Sequence, residues 1–207
     1  MSRSPRSPTG PSPGSLPTLG RVGLDGFLAV GAAVGAVGWG VTAGLTARPE
    51  VVADPELASM AVWIGLVGVM ATVGAFTTPD EVRFSRPLLG WGAANGTATL
   101  LSMLALVDVL PDTVHLHAWP LAGLAGYAAT ARFVGGRDGQ LYATAAVLEG
   151  VTLGLVLGGL PPALVFALLG VCHSLALVLV VGTRTTRAPL VLVGTYLFVL
   201  VVGIWAA

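Results

Sequence analysis

Lysine is missing from the 207-residue sequence, so all ten basic residues are arginines. This absence excludes chemistry that needs a Schiff-base lysine, including a retinal linkage of the opsin type. Cysteine occurs once, as Cys172, which excludes an intrachain disulfide and any paired-cysteine metal or redox site. The P-loop and HExxH motifs are also absent from the sequence. We therefore predict no cofactor, and an enzymatic activity is not the expectation.

Charge is scarce as well. Only 10% of the residues are charged and 55% are apolar, whereas an ordinary soluble domain carries about 25% charged residues. A chain with so few charges cannot cover a water-exposed surface, and its mean hydropathy of +0.86 predicts that its solvent is lipid. The formal net charge is zero, so the basic footprint of a nucleic-acid-binding protein is missing.

Seven apolar stretches of about 19–24 residues each match the length that a helix needs to cross a bilayer. We predict an all-α, polytopic integral membrane protein with a seven-helix transmembrane bundle. The predicted spans cover residues 24–47, 57–77, 88–110, 114–134, 141–160, 163–182 and 189–207. They form a single membrane domain, residues 21–207, after a disordered, basic tail rich in proline and serine, residues 1–20.

The arginines predict the orientation of this bundle. If the N-terminus is cytoplasmic, nine of the ten arginines lie on the cytoplasmic side and only Arg48 lies outside. Cytoplasmic loops carry such an excess of basic residues, so the topology is predicted to be N-in and C-out. We expect the protein in the cell membrane, with the lipid bilayer as its main partner.

Two ionisable side chains, Glu149 and His173, are predicted deep inside the bilayer. Glu149 lies twelve residues before Pro161, and His173 lies twelve residues after it. At 1.5 Å per residue, both sit roughly 18 Å from the turn that joins the fifth and sixth spans. Ionisable groups at such depth are costly and usually functional, so the pair is a candidate proton or ion relay.

Two further polar side chains, Asn95 on the third span and Tyr196 on the seventh, fall near the same depth. We predict that they complete a polar layer inside the bundle. The alternative is that they only join helices through hydrogen bonds, which contribute about 0.6 kcal/mol each in membranes.

Small residues at helical spacing predict where helices approach closely. Gly31 and Gly35 form one such pair on the first span, and Gly150, Gly154 and Gly158 form a longer series on the fifth. These faces either pack inside the monomer or bind a second copy or another membrane protein.

A weaker candidate is a metal site at the outer end of the fourth span. His115, His117 and Asp112 offer imidazole and carboxylate ligands there. Two histidines at positions i and i+2 do not share a helix face, so this site needs a non-helical start to the span.

Three functional classes remain open from the sequence. The first is a small proton-coupled carrier or translocator that uses Glu149 and His173. The second is a non-enzymatic membrane subunit or scaffold that packs through small-residue faces. The third is an intramembrane enzyme or redox protein. A cavity reaching the buried acid favours the first class, and a small-residue face exposed to lipid favours the second.

Overall fold

The computed structural model describes residues 18–182 and 187–206, with side chains for residues 23–182 and 187–205. Throughout these ranges the regular structure is helical and contains no strand. Residues 1–17 of the predicted tail lie outside the described residues, and the last three residues assigned to that tail form the first turn of helix α1.

The helices follow the predicted spans closely, with two short additions in the connections. They are α1 (Thr18–Ala47), α2 (Pro55–Thr77), α3 (Asp80–Arg83), α4 (Arg86–Leu106), α5 (Val114–Val134), α6 (Gly136–Leu157), α7 (Pro162–Gly170), α8 (Ala176–Gly182) and α9 (Ala188–Ala206). A 3-10 turn, Pro49–Val51, lies between α1 and α2, and a π-helical turn, Val171–Leu175, joins α7 to α8.

Five helical segments are long and apolar enough to cross a membrane by length and composition. They are Gly23–Ala47, Pro55–Thr77, Gly136–Leu157, Pro162–Gly182 and Ala188–Trp205. The chain therefore has the character of a multi-pass helical membrane protein. Helices α4 and α5, which correspond to the third and fourth predicted spans, are not among the five.

Local sequence explains where the helices begin and end. The Asp54 carboxylate accepts a hydrogen bond from the backbone N–H of Leu57 at 2.9 Å, which caps the start of α2. The third predicted span is shorter than expected, because Asp108 adopts a left-handed conformation with φ of 58° and the helix ends at Leu106 rather than residue 110. Between α5 and α6, Gly135 has a φ of +65°, which favours glycine.

The long helices pack as an open arc. At one end of the arc, α2 packs on α1, and α1 packs on α7 and α8. Helices α7 and α8 pack on α6, α6 packs on α5, and α5 packs on α4 at the other end. Helix α9 packs against α6 and α7. Helices α2 and α4 stand at the two ends of the arc, and neither packs extensively on the other within the described residues. The gap between them is lined by side chains from both helices and forms a cavity.

Candidate functional site

The Glu149 carboxyl group lies in the centre of the bundle. Its side chain on α6 is completely buried, and the space that it occupies is left by Gly123 on α5. A Cβ atom at position 123 would lie 2.7 Å from the Glu149 carboxyl carbon. Glycine at this position is therefore what lets the acid lie between α5 and α6.

The imidazole of His173 faces this carboxyl from the π-helical turn. Its Nδ1 lies 3.2 Å from Glu149 Oε1 and 2.9 Å from the backbone oxygen of Leu169. A single ring N–H cannot point at both acceptors, and its geometry fits a hydrogen bond to the carbonyl oxygen of Leu169. Neither Glu149 oxygen accepts a well-aligned hydrogen bond among the described residues, although His173 Nδ1 and the Cys172 thiol lie close to the carboxyl group.

Such an arrangement is unusual for a purely structural group. Most buried polar side-chain atoms are hydrogen-bonded, and each unsatisfied one costs about 1–3 kcal/mol. The carboxyl group and the imidazole are close enough to share one proton. With the proton on the carboxyl group both groups are neutral, and with the proton on the imidazole they form an ion pair. The site thus has the parts needed to take up and release a proton.

The backbone at His173 is irregular. Residues Val171–Leu175 form a single π-helical turn in the middle of an otherwise α-helical span. Single π turns inside helices are rare and occur frequently at functional sites. The sequence has no proline or paired glycine within this turn that would predict the irregularity.

Three aromatic rings surround the imidazole. The ring centroids of Trp39, Trp91 and Tyr127 lie 5.6, 5.9 and 5.6 Å from that of His173. Aromatic faces at this distance attract a cation, so the cage is suited to an imidazolium as well as to a neutral ring. The Tyr127 hydroxyl donates a 3.2 Å hydrogen bond to the backbone oxygen of Cys172, which ties α5 to the π-helical turn.

The other two predicted members of the polar layer, Tyr196 and Asn95, make no hydrogen bond to this pair in the described part of the chain. Tyr196 is buried and its hydroxyl lies 2.7 Å from the Thr152 hydroxyl, so it joins α9 to α6. Asn95 is half-buried on α4 and has no hydrogen-bond partner in the described part of the chain.

The two glycine faces differ in their surroundings. Gly31 and Gly35 are covered by the sixth span, where added Cβ atoms would lie 3.2 Å from Leu177 and 3.1 Å from Ser174. The face formed by Gly150, Gly154 and Gly158 is largely uncovered by other helices. An added Cβ at Gly150 would meet only Leu124, at 3.8 Å, one at Gly154 would meet nothing within 4 Å, and Gly158 caps the end of α6.

The three candidate metal ligands at the start of α5 are not assembled. No group of three or more histidine, cysteine, aspartate or glutamate side chains in the described ranges is placed to hold a metal ion. His115 stacks on Phe166 with ring centroids 5.9 Å apart, and the ring of His117 is hydrogen-bonded to the backbone oxygen of Thr113 at 2.8 Å. Asp112 is exposed.

A cavity of about 650 Å³ occupies the gap in the arc, at the end where α1 joins α2 and α4 joins α5. Its inner end is formed by Trp39, Trp63, Trp119 and Phe166. Trp39 is almost completely buried and is in contact with His173, so one aromatic layer separates the cavity from the buried pair.

This tryptophan cluster was missed at the sequence level, although position along the helices carries a signal for it. Trp39 lies eight residues before the end of α1, and Trp63 lies eight residues after the start of α2. Their equal depth predicts contact, and their ring centroids are 4.7 Å apart. Trp119 completes the cluster, with its ring centroid 5.2 Å from that of Trp39.

Comparison with known proteins does not supply a function. The chain matches no protein-family model, no curated protein and no solved structure. The class that the fold defines is therefore a helical, multi-pass membrane protein, and its activity has to be argued from its own side chains.

Proposed function

We propose that the protein is a small proton-coupled carrier of the cell membrane, in which Glu149 and His173 bind the coupling proton. The observation that carries this proposal is a fully buried carboxyl group that accepts no well-aligned hydrogen bond among the described residues and lies 3.2 Å from an imidazole in a π-helical turn. Burying an acid in this way is expensive, and ionisable groups inside membranes mark substrate or ion pathways and proton relays.

The proposal includes seven spans with the N-terminus in the cytoplasm. Helices α4 and α5 have 21 residues each, which is about 31 Å at 1.5 Å per residue and enough to cross a hydrocarbon core. Helix α5 packs along α6, and α4 packs along α5, so both lie beside a helix that is apolar enough to span. Some of the polar side chains that lower their hydropathy line the cavity, among them Ser102 and His115.

The cavity supplies part of a route from one side of the membrane toward the pair. It opens at the predicted outer end of the bundle and stops at Trp39, so it does not reach Glu149 in this conformation. In the proposed cycle, a solute enters the cavity, Trp39 moves aside, and the proton on the pair is exchanged as the bundle opens to the other side. Carriers build their sites at interrupted helices near the midplane, and the π-helical turn at residues 171–175 is a milder local irregularity within a continuous helix.

The test uses purified protein in liposomes that contain a trapped pH indicator. A panel of small anionic, neutral and cationic solutes is added outside, and we expect at least one of them to move protons in a saturable manner. Glu149→Gln should abolish this movement, because an amide cannot take up the proton. The matched control is Glu81→Gln, which changes an exposed carboxylate on α3 and should leave the movement intact.

Two results would count against a carrier. One is wild-type proton movement in folded Glu149→Gln protein, and the other is the absence of proton movement with every solute in the panel. Folding is checked by size-exclusion chromatography, so that a loss of signal in the variant is not confused with aggregation.

A second candidate function is a membrane subunit or scaffold, and one observation favours it. The face of α6 around Gly154 is open, with nothing within 4 Å of an added Cβ, although small residues at i and i+4 favour close approach of another helix. Crosslinking of Gly154→Cys protein in the membrane tests this candidate. A discrete dimer or a specific adduct would favour it.

A further inference from the structure

The cavity in the gap of the arc has a distinct charge pattern. Its rim carries three exposed carboxylates, Asp54, Glu56 and Asp112, and its lining contains no arginine. A low-dielectric cleft with carboxylates at its mouth concentrates cations and repels anions.

The wall of the cavity offers aromatic faces and few free polar groups. Thr42 accepts a hydrogen bond from Trp63 Nε1 at 3.0 Å and lies 2.7 Å from the Ser59 hydroxyl, while its own hydroxyl donates to the Gly38 carbonyl at 2.9 Å. Since these polar atoms are paired with one another, they do not require hydrogen bonds from a ligand. A ligand with an apolar body therefore fits this wall better than a sugar or an amino acid.

The tryptophans are arranged around the inner end of the cavity. Trp63 and Trp119 are nearly parallel, with centroids 5.8 Å apart, and Trp39 lies across both edges at 62° and 82°. A second Trp119 contact, its Nε1 donating to Ser102 at 3.1 Å, fixes the ring against α4. Indole rings are the side chains that attract organic cations most strongly.

We propose that this cavity binds an amphipathic organic cation, with its apolar body against the tryptophans and its charge attracted by the carboxylate rim. The volume of about 650 Å³ lies within the range of sites for small organic ligands. The claim that such a cation is the carrier's substrate rests on the proposed function. The claim that the cavity binds the cation does not.

The test compares two ions of the same shape and opposite charge. Tetraphenylphosphonium and tetraphenylborate are titrated separately into protein in a neutral detergent, and binding is followed by tryptophan fluorescence against empty micelles. We expect saturable binding of the cation, weaker binding of the anion by a factor of at least ~10, and a cation affinity that falls with added salt.

Matched variants locate the site. Glu56→Gln and Asp112→Asn each remove one carboxylate from the rim and should weaken cation binding roughly 2- to 5-fold. Glu50→Gln makes the same charge change in the same loop region but at a residue that does not line the cavity, and it should have no effect. Trp63→Leu should weaken binding more than Trp63→Phe, which keeps an aromatic face.

The inference fails if the anion binds as tightly as the cation, which would indicate a groove for lipid chains, or if neither ion binds above the micelle background. It also fails if the rim variants and Glu50→Gln behave alike. Because binding is measured without a gradient, these outcomes are separate from those of the proton-movement assay. Cation binding without proton movement would overturn only the carrier, and proton movement without cation binding would overturn only this site.

Discussion

Replacing Glu149 by methionine separates stability from function at the candidate site. Methionine has nearly the length of glutamate, but it removes two buried oxygens that accept no well-aligned hydrogen bond among the described residues. If the carboxyl group serves only the structure, its removal should destabilise the protein. A group kept for proton transfer should leave a more stable but inactive protein.

The structure sets the size of the effect. An unsatisfied buried polar group costs about 1–3 kcal/mol, and the apolar side chain does not incur this cost. The loss of the 3.2 Å contact with His173 offsets part of this gain. Removing one partner of a buried ion pair is strongly destabilising when the other stays charged, but His173 can become neutral and keep its hydrogen bond to the Leu169 carbonyl oxygen. The net gain should therefore stay below about 3 kcal/mol, and at about 2–4 °C per kcal/mol for a chain of this size the melting temperature should rise by less than roughly 12 °C.

The single cysteine provides the assay. Cys172 is fully buried one position before His173, so a fluorogenic maleimide reacts with it only when the bundle opens. Heating the protein in detergent with this reagent gives the melting temperature directly. Glu149→Gln is the control for shape, since it keeps polar atoms that still lack partners, and its melting temperature should lie close to that of the wild type.

The reasoning is refuted if Glu149→Met melts several degrees below the wild type while Glu149→Gln does not. That result would mean that the polar atoms at position 149 hold the helices together through hydrogen bonds, and the structural role would then be sufficient. Proton movement that survives in Glu149→Met protein would refute the functional half independently.

Three further predictions test the packing and the topology. Gly123→Ala would place a methyl group 2.7 Å from the buried carboxyl carbon and should lower the free energy of unfolding by about 1–3 kcal/mol. Gly154→Ala has open space around it and should leave the free energy of unfolding unchanged or raise it by up to about 1 kcal/mol. Equal effects of the two variants in thermal melts would contradict this packing. Tyr196→Phe removes a 2.7 Å hydrogen bond to a threonine hydroxyl and should cost about 0.5–1.5 kcal/mol with proton movement retained; lost movement would assign the tyrosine to the relay. In a cysteine-free background, Glu50→Cys should react with an impermeant maleimide from outside intact cells and Glu81→Cys only after lysis; labelling of both from one side would exclude the proposed topology.

Much of the helical architecture could be predicted because lipid imposes a simple rule on the chain. Every span needs about twenty apolar residues, and helix-ending residues lie between them, so the helical segment Pro162–Gly182 agrees with the predicted span 163–182 to within one residue. The end of α4 at Leu106, before the predicted residue 110, could not be predicted from the sequence, since it depends on the left-handed conformation of Asp108.

The sequence predicted only part of the candidate site. Equal spacing from the turn at Pro161 placed Glu149 and His173 at one depth, and in the structure their closest side-chain atoms lie 3.2 Å apart. Depth follows from counting residues, but the direction of each side chain depends on the rotation of its helix. The carboxyl group without a well-aligned hydrogen bond and the aromatic cage follow from that rotation.

By itself, the sequence determined that this protein is helical and that its solvent is lipid, because apolar content and span length are sums over neighbouring residues. Only the tertiary structure decided which glycines are covered, where the arc of helices stays open, and that Trp39 separates the cavity from the buried acid. Those features depend on contacts between helices that are far apart in the chain. A hydropathy pattern does not contain them, since rotating one helix leaves its hydropathy unchanged and alters every contact.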